Sequence, residues 1–380
     1  MMIRNLTFEE LLTLFRTVFG LKLREGELTI LVDLPDEKLP DNDDWYDRRQ
    51  IAGEWYNTLS DNSLQTPFSE VNLCTYKNVG SNNNDLPPFV KKIRAYLGDA
   101  SLGAGMLVSL DEVLASSSIV LALTELSATA PLKMLARKFQ FRGASMPGFL
   151  RVMSPTLLLD YEKIHERVLQ LQERMERAEA VRIVLSAKKK SYECLFDLRY
   201  RPAHASSGLM REEGMVGNLP SGEAYITPYE GERKGDESRS NGLLPVQFED
   251  EIVVYRIERN RAVAVLTKGK HSKEERAKIE AEPAYGNIAE IGIGVLGEWG
   301  VQAVGSTLLD EKLGLHIAFG RSEHFGGVTS PLSFRNPNNV VHIDRVYVPP
   351  VQPLITVVEV TFLYPDGGTE RILSDGKFEV

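Results

Sequence analysis

The sequence predicts an α/β N-terminal domain with a parallel sheet over residues 1–180, followed by an α+β, strand-rich, metal-binding C-terminal domain over residues 181–380. Three observations lead there. In the first part of the chain amphipathic helices alternate with short apolar, β-branched runs, the pattern of a parallel α/β layer. After about Ala178 helical periodicity fades and short alternating strands take over. The last third places histidines and carboxylates inside such strands. With 380 residues, 43% of them apolar, the chain has ample material for two buried cores.

In residues 7–19, Leu11, Leu12, Leu14, Phe15, Val18 and Phe19 recur at helical spacing, and Gly20 ends the helix. Residues 28–32 and 71–76 read as strands, and 44–59 as a helix carrying Trp45 and Trp55. Residues 80–88, rich in asparagine and proline, form a loop. The run 118–123 is apolar without alternation, as in a strand covered on both faces. A helix follows Pro131 to about Phe139, and 142–148 is a short strand ending in a turn. Asp160 caps a long helix whose stripe is Tyr161, Ile164, Val168, Leu171 and Met175; His165 sits beside that stripe as a partly exposed side chain, not a ligand.

In the second half, strands are expected at 182–185, 192–198, 252–257, 262–266, 355–363 and 371–373, with hairpin connections at 258–261 and 365–368. A helix begins at Ser272, which forms a capping box with Glu275. Residues 231–241 make a charged, mobile surface loop.

The net charge of −9 argues against nucleic acid or an anionic membrane as partner, because both demand a basic face. The basic runs at 188–190 and 268–273 read as solvated faces. No apolar run has the length of a membrane span, and MMIRNLTFEELL carries two acids where a signal peptide needs an apolar stretch, so a cytoplasmic protein is expected. Cys74 and Cys194 lie far apart within strand-like runs, which supports neither a disulfide framework nor a thiolate zinc site. Any metal must therefore be held by oxygen and nitrogen.

Three of the six histidines fall between Asp310 and Asp344, each a few residues from a carboxylate. In His342-Ile343-Asp344 the polar residues are two apart in a β-branched run, so on a strand both leave the same face and can hold one ion. Glu311 belongs in a turn, and His316 on the strand LHIAF that follows. With Glu223 and Glu290 the set becomes Glu223, Glu290, Glu311, His316, His342 and Asp344. Four carboxylates and two imidazoles suit two divalent ions, zinc, cobalt or manganese, about 3.5 to 4 Å apart. Singly, each residue has an ordinary reading: a loop charge at Glu223, a helix-end charge at Glu290, a core histidine at His316. Jointly they demand compensation, since burying so many ionisable groups in apolar strands is costly. Gly292, Gly294 and Gly297 satisfy GxGxxG, but Gly300, Gly305 and Thr307 break the helix that a dinucleotide site requires.

Several segments, NLPSGE at 218–223, AEIGIG at 289–294, Asp310-Glu311-Lys312 followed by HIAFG at 316–320, Phe325-Gly326-Gly327 and His342-Ile343-Asp344, resemble, in that order, the motifs of the aminopeptidase T family of thermophilic, leucyl aminopeptidase-like metallo-aminopeptidases. The likeness extends to 122–129 and 144–148 and so covers most of the chain, as in a divergent member. It implies a dimeric two-metal exopeptidase acting on short peptides, with an α/β N-terminal domain and a C-terminal domain supplying the ligands. Glu223, Glu290, Glu311, His316, His342 and Asp344 would be those ligands, with Glu290 also the candidate general base. One departure stands out. The family has a tyrosine seven residues after the HIAFG histidine, placed to steady an oxyanion, where this chain has Glu323. His324 would have to stand in for it.

Two other functions fit parts of the pattern. His316, His342 and Asp344 form a two-histidine, one-carboxylate set like that of mononuclear non-haem iron oxygenases, and ring-opening dihydroxypyridine dioxygenases resemble the same scaffold. Alternatively, the altered tyrosine position and the charged loop at 231–241 fit a catalytically inactive binding protein on the same fold.

Overall fold

A computed structural model describes residues 4–379, and the contacts divide the chain into two compact units, Met1–His165 with Ser206–Ser221, and Glu166–Ala205 with Gly222–Val380. The chain passes from one to the other within the helix Tyr161–Arg177.

The first unit is built on the expected parallel sheet. Strands Val216–Asn218, Arg142–Ser145, Ser117–Ala122, Glu27–Leu34 and Val71–Lys77 lie side by side and parallel. Phe89–Ile93 and Met106–Ser109 extend the sheet antiparallel at the edge beyond Val71–Lys77. Leu31, Cys74, Val120, Leu132 and Phe141 meet in one buried cluster, which explains why Cys74 sits in a strand-like run without a chemical role. Helix Phe8–Phe19 starts at a reciprocal cap, Thr7 accepting from the Glu10 amide and Glu10 from the Thr7 amide, and ends at left-handed Gly20. In helix Asp43–Ser60 both tryptophans are buried, Trp45 donating its indole N–H to Asp33 at 2.9 Å. His165 makes an ordinary hydrogen bond with Ser207, 2.9 Å.

The second unit holds two sheets. One has eight strands, in the order Arg261–Val265, Glu251–Glu258, Asn241–Phe248, Lys190–Asp197, Ala180–Ala187, Ile355–Leu363, Thr369–Ser374 and Lys377–Phe378. The lysine run at 188–190 is its first hairpin turn, with Lys188 and Lys189 both at positive φ. Helix Lys270–Ala281 starts two residues ahead of the expected capping box. Its first turn is capped from elsewhere: Glu251 accepts the amides of His271 and Ser272, while Glu275 is buried against the hydroxyls of Tyr255 and Tyr285. The loop at 231–241, expected to be mobile, is tied down, because Ser238 and Ser240 are buried and Asp236 pairs with Arg199. The other sheet has five strands and carries the candidate site.

Arg142 and Glu25 form a fully enclosed pair in the first unit, 2.6 Å apart, with each side chain 2% exposed; Arg142 also donates to the Phe19 carbonyl. Replacing only one member strands the other charge, at a cost of about 3–5 kcal/mol. Arg142→Met should therefore lower the urea midpoint of the first unit sharply, and Arg142→Met with Glu25→Leu should recover much of the loss.

Candidate metal centre

The five-stranded sheet runs in the order His342–Val346, Leu315–Gly320, Ile288–Gly294, Glu223–Ile226 and Ala203–Ser206. Its register decides the site. Glu223 lies opposite Gly294 and Tyr225 opposite Gly292; Gly292 lies opposite His316 and Glu290 opposite Ala318; Asp344 faces Ala318 and His342 faces Gly320. Directly opposed residues share a face, as do residues two apart on a strand. Glu223, Glu290, His316, His342 and Asp344 thus project from one face of four adjacent strands. Ile291, Ile293 and Ile317, on the other face, are buried in the core.

Small residues clear that face. A Cβ on Gly292 would stand 2.0 Å from Nε2 of His316, and one on Gly294 would stand 2.0 Å from the carbonyl carbon of Lys312. The glycines that mimic a dinucleotide fingerprint are therefore there to admit the imidazole and the Lys312 backbone. A 3-10 turn, Leu296–Trp299, follows them where a nucleotide site would need a helix.

Glu290 is the centre of the cluster. Its Oε1 is 3.3 Å from His316 Nε2, and its Oε2 is 3.2 Å from His342 Nε2. Glu223 Oε2 lies 3.5 Å from His316 Nε2, and Asp344 Oδ1 lies 3.7 Å from His342 Nε2. Two sets of potential ligand atoms result, Glu223 with Glu290 and His316, and Glu290 with His342 and Asp344, each set with its atoms within 4.8 Å of one another. Glu290 is common to both. Glu311, in the 3-10 turn Glu311–Leu313, stands outside both sets and places Oε1 2.5 Å from Lys312 Nζ. Lys312 also lies 2.5 Å from Oε1 of Glu223.

These residues fit a divalent cation. His342 donates its Nδ1–H to the Arg321 carbonyl at 2.9 Å, which leaves the lone pair on Nε2 facing Glu290 and Asp344, the orientation of a ligating histidine held from behind. Glu223 Oε2 is buried with no hydrogen-bond partner, an acceptor aimed into the cluster. Oxygen and imidazole donors without thiolate suit zinc, cobalt or manganese.

Without an ion, the cluster balances its own charge. Burial alone would raise the Glu290 carboxyl, but hydrogen bonds from His316 and His342 outweigh it and hold the group well below the carboxylate range. Burial opposes the charged imidazoles, yet Glu290 and Glu223 bring His316 up to about 10, and Asp344 and Glu290 bring His342 up to about 9. Burial pushes Glu311 up to about 8; Lys312 opposes this, while Asp344 and Glu223 add to it.

At the rim, His324 packs edge-on to His342 with ring centres 5.2 Å apart; burial and the neighbouring His342 charge bring it down to about 4, so it is neutral at neutral pH. Glu323 is paired with Arg321 and stays ionised, so it supplies no proton where the tyrosine of the resembling family would stand. Two residues escaped the sequence reading. Lys312 adjoins a candidate ligand, but nothing in its spacing shows that it turns inward. Tyr225 is two residues from Glu223 on the same face, a signal that strand alternation could have given; it packs between His204 and Phe325, with ring centres 5.1 and 4.9 Å away.

Ion binding requires neutral imidazoles, and in the ion-free protein both titrate above neutrality. Binding of zinc or manganese should therefore release protons and tighten as pH rises from mildly acidic to mildly alkaline, measurable by calorimetry in buffers of different ionisation enthalpy. Gly292→Ala should push His316 out of line and cut metal content, read by elemental mass spectrometry, while leaving the fold visible by circular dichroism.

No family model matches the chain, and no curated protein matches it. Solved structures share its fold. The 2,5-dihydroxypyridine dioxygenase from Pseudomonas putida KT2440 is 16% identical, with a TM-score of 0.58, over 98% of this chain and 95% of that one. Wild-type AmpT from Thermus thermophilus is also 16% identical, with a TM-score of 0.51, over 98% of this chain and 99% of that one. At this identity the likeness establishes a common architecture, an α/β part and a strand-rich part, and a distant structural relationship.

Proposed function

We propose that the chain is a metal-dependent hydrolase of the aminopeptidase type, releasing N-terminal residues from short peptides. The observation that carries this reading is the shared carboxylate: Glu290 turns one oxygen to each imidazole, so two ligand sets meet at a single residue. A zinc, cobalt or manganese centre held there supplies hydroxide near neutral pH and polarises a carbonyl. His342 and Asp344 on one side, and His316 with the free oxygen of Glu223 on the other, are the remaining donors that could hold an ion there. Both oxygens of Glu290 are committed to the imidazoles, which suits a ligand better than a general base. Glu311, outside both sets, is the carboxylate left to accept a proton from water. Neutral His324 and the half-buried phenol of Tyr225 are the donors beside a developing oxyanion. The peptide substrates, a homodimeric assembly and a cytoplasmic location belong to this reading as well; among the described residues no helix is long and apolar enough to cross a membrane.

A second reading takes the same face as a mononuclear iron centre of His316, His342 and Asp344 that opens dihydroxylated aromatic rings. The observation favouring it is Lys312, whose ammonium is held by Glu223 and Glu311 and which leaves the imidazoles and Asp344 for one ion.

Chelation should abolish cleavage of amino-acid anilides, and zinc, cobalt or manganese should restore it. Cleavage indifferent to chelator would refute the hydrolase reading. Iron-dependent oxygen uptake with an aromatic diol, and no anilide cleavage under any metal, would install the second reading in its place.

A further inference from the structure

Lys312 is the cation the cluster already contains. Its side chain is 2% exposed, and its ammonium sits 2.5 Å from Oε1 of Glu223 and 2.5 Å from Oε1 of Glu311, two of the six carboxylate and imidazole residues singled out as ligands. Its backbone is fixed as tightly. The Lys312 carbonyl carbon packs so close to Gly294 that a Cβ there would overlap it, and Gly294 donates its amide to the Gly314 carbonyl at 2.9 Å.

The two ligand sets are therefore unequal. Glu290, His342 and Asp344 include no atom that Lys312 contacts. Glu223, Glu290 and His316 include Glu223, one oxygen of which is taken by the ammonium. A divalent ion in that set would have only the second oxygen of Glu223 to bind, the first being held by Nζ, and would sit close to a positive charge already in place.

We propose that Lys312 occupies the place of a second metal ion, so that this chain binds one divalent ion, at Glu290, His342 and Asp344 with His316 in reach, and uses the Lys312 ammonium as the other positive charge of the centre. The proposal rests on the metal-dependent reading and specifies it. Glu223 and Glu311 then serve to hold the ammonium instead of ligating metal. The ammonium, fixed beside the ligand cluster, supplies the electrostatic pull on a substrate carbonyl or carboxylate that a second ion would otherwise give.

Metal content at saturating zinc or manganese, read by elemental mass spectrometry after removal of free metal, tests this. The unaltered chain should hold about one ion, and Lys312→Met about two. Two ions in the unaltered chain would overturn the proposal while leaving the metal-dependent reading intact, and one ion in both proteins would overturn it by showing that something other than Lys312 limits the count. No ion in the unaltered chain would defeat the metal-dependent reading, and the proposal with it. Should Lys312→Met fail to fold, Glu223→Gln decides: the single ion should survive that change and be lost in Asp344→Asn. Loss of the ion in Glu223→Gln would overturn the assignment.

Discussion

Everything at the candidate site depends on the pairing register of four antiparallel strands. A slip of one residue between Ile288–Gly294 and Leu315–Gly320 would send His316 to the isoleucine face and leave Glu290 without either imidazole. The register is fixed by what lies on the two faces. Ile291, Ile293 and Ile317 bury one of them, while on the other Gly292, Gly294, Ala318 and Gly320 leave room for long polar side chains from their neighbours. Glycine in a strand interior ordinarily weakens it. Here the lost packing is offset because each absent side chain makes space for a specific group, the His316 ring at Gly292 and the Lys312 backbone at Gly294.

Charge is the second constraint, and it follows from the first. Four carboxylates gathered on or beside a single face, with relative exposures of only 5% at Glu223 and 4% at Glu290, are tolerable only if cations face them. Two imidazoles and one ammonium do so. On the one-ion proposal the imidazoles exchange their protons for the metal ion, while the ammonium stays between Glu223 and Glu311. This asymmetry divides the cluster into an exchangeable part around Glu290, His342 and Asp344 and a fixed part around Lys312.

Much of this was legible in the sequence, for reasons tied to particular residues. Strand alternation put His342 and Asp344 on one face, and the turn before LHIAF put Glu311 and His316 on different elements; both are as expected. The parallel core strands announced themselves by uninterrupted apolar runs. What stayed hidden was whatever depends on contacts distant in sequence. Val216–Asn218 joins the first sheet beside Arg142–Ser145, a pairing that no local pattern encodes. Helix Lys270–Ala281 takes its cap from Glu251, so a local capping box at Ser272 placed its start two residues late. Lys312 belongs to the same class: its neighbours in the chain say that it follows a carboxylate, and only the folded sheet brings Glu223 to its other side.

The departure at Glu323 takes on a different meaning in this setting. A carboxylate in place of a hydroxyl donor reads, in one dimension, as damage to an active site. In the folded chain Glu323 is paired with Arg321, whose backbone carbonyl in turn accepts the Nδ1–H of His342. That carbonyl fixes the tautomer of a candidate ligand, so the acid at 323 braces the segment that orients His342. On the hydrolase reading the proton donors are the His324 ring beside His342, which burial keeps neutral, and the Tyr225 phenol on the same face. A negative charge at 323 is then compatible with hydrolysis, because it stabilises the support of one ligand without having to touch the reacting atoms.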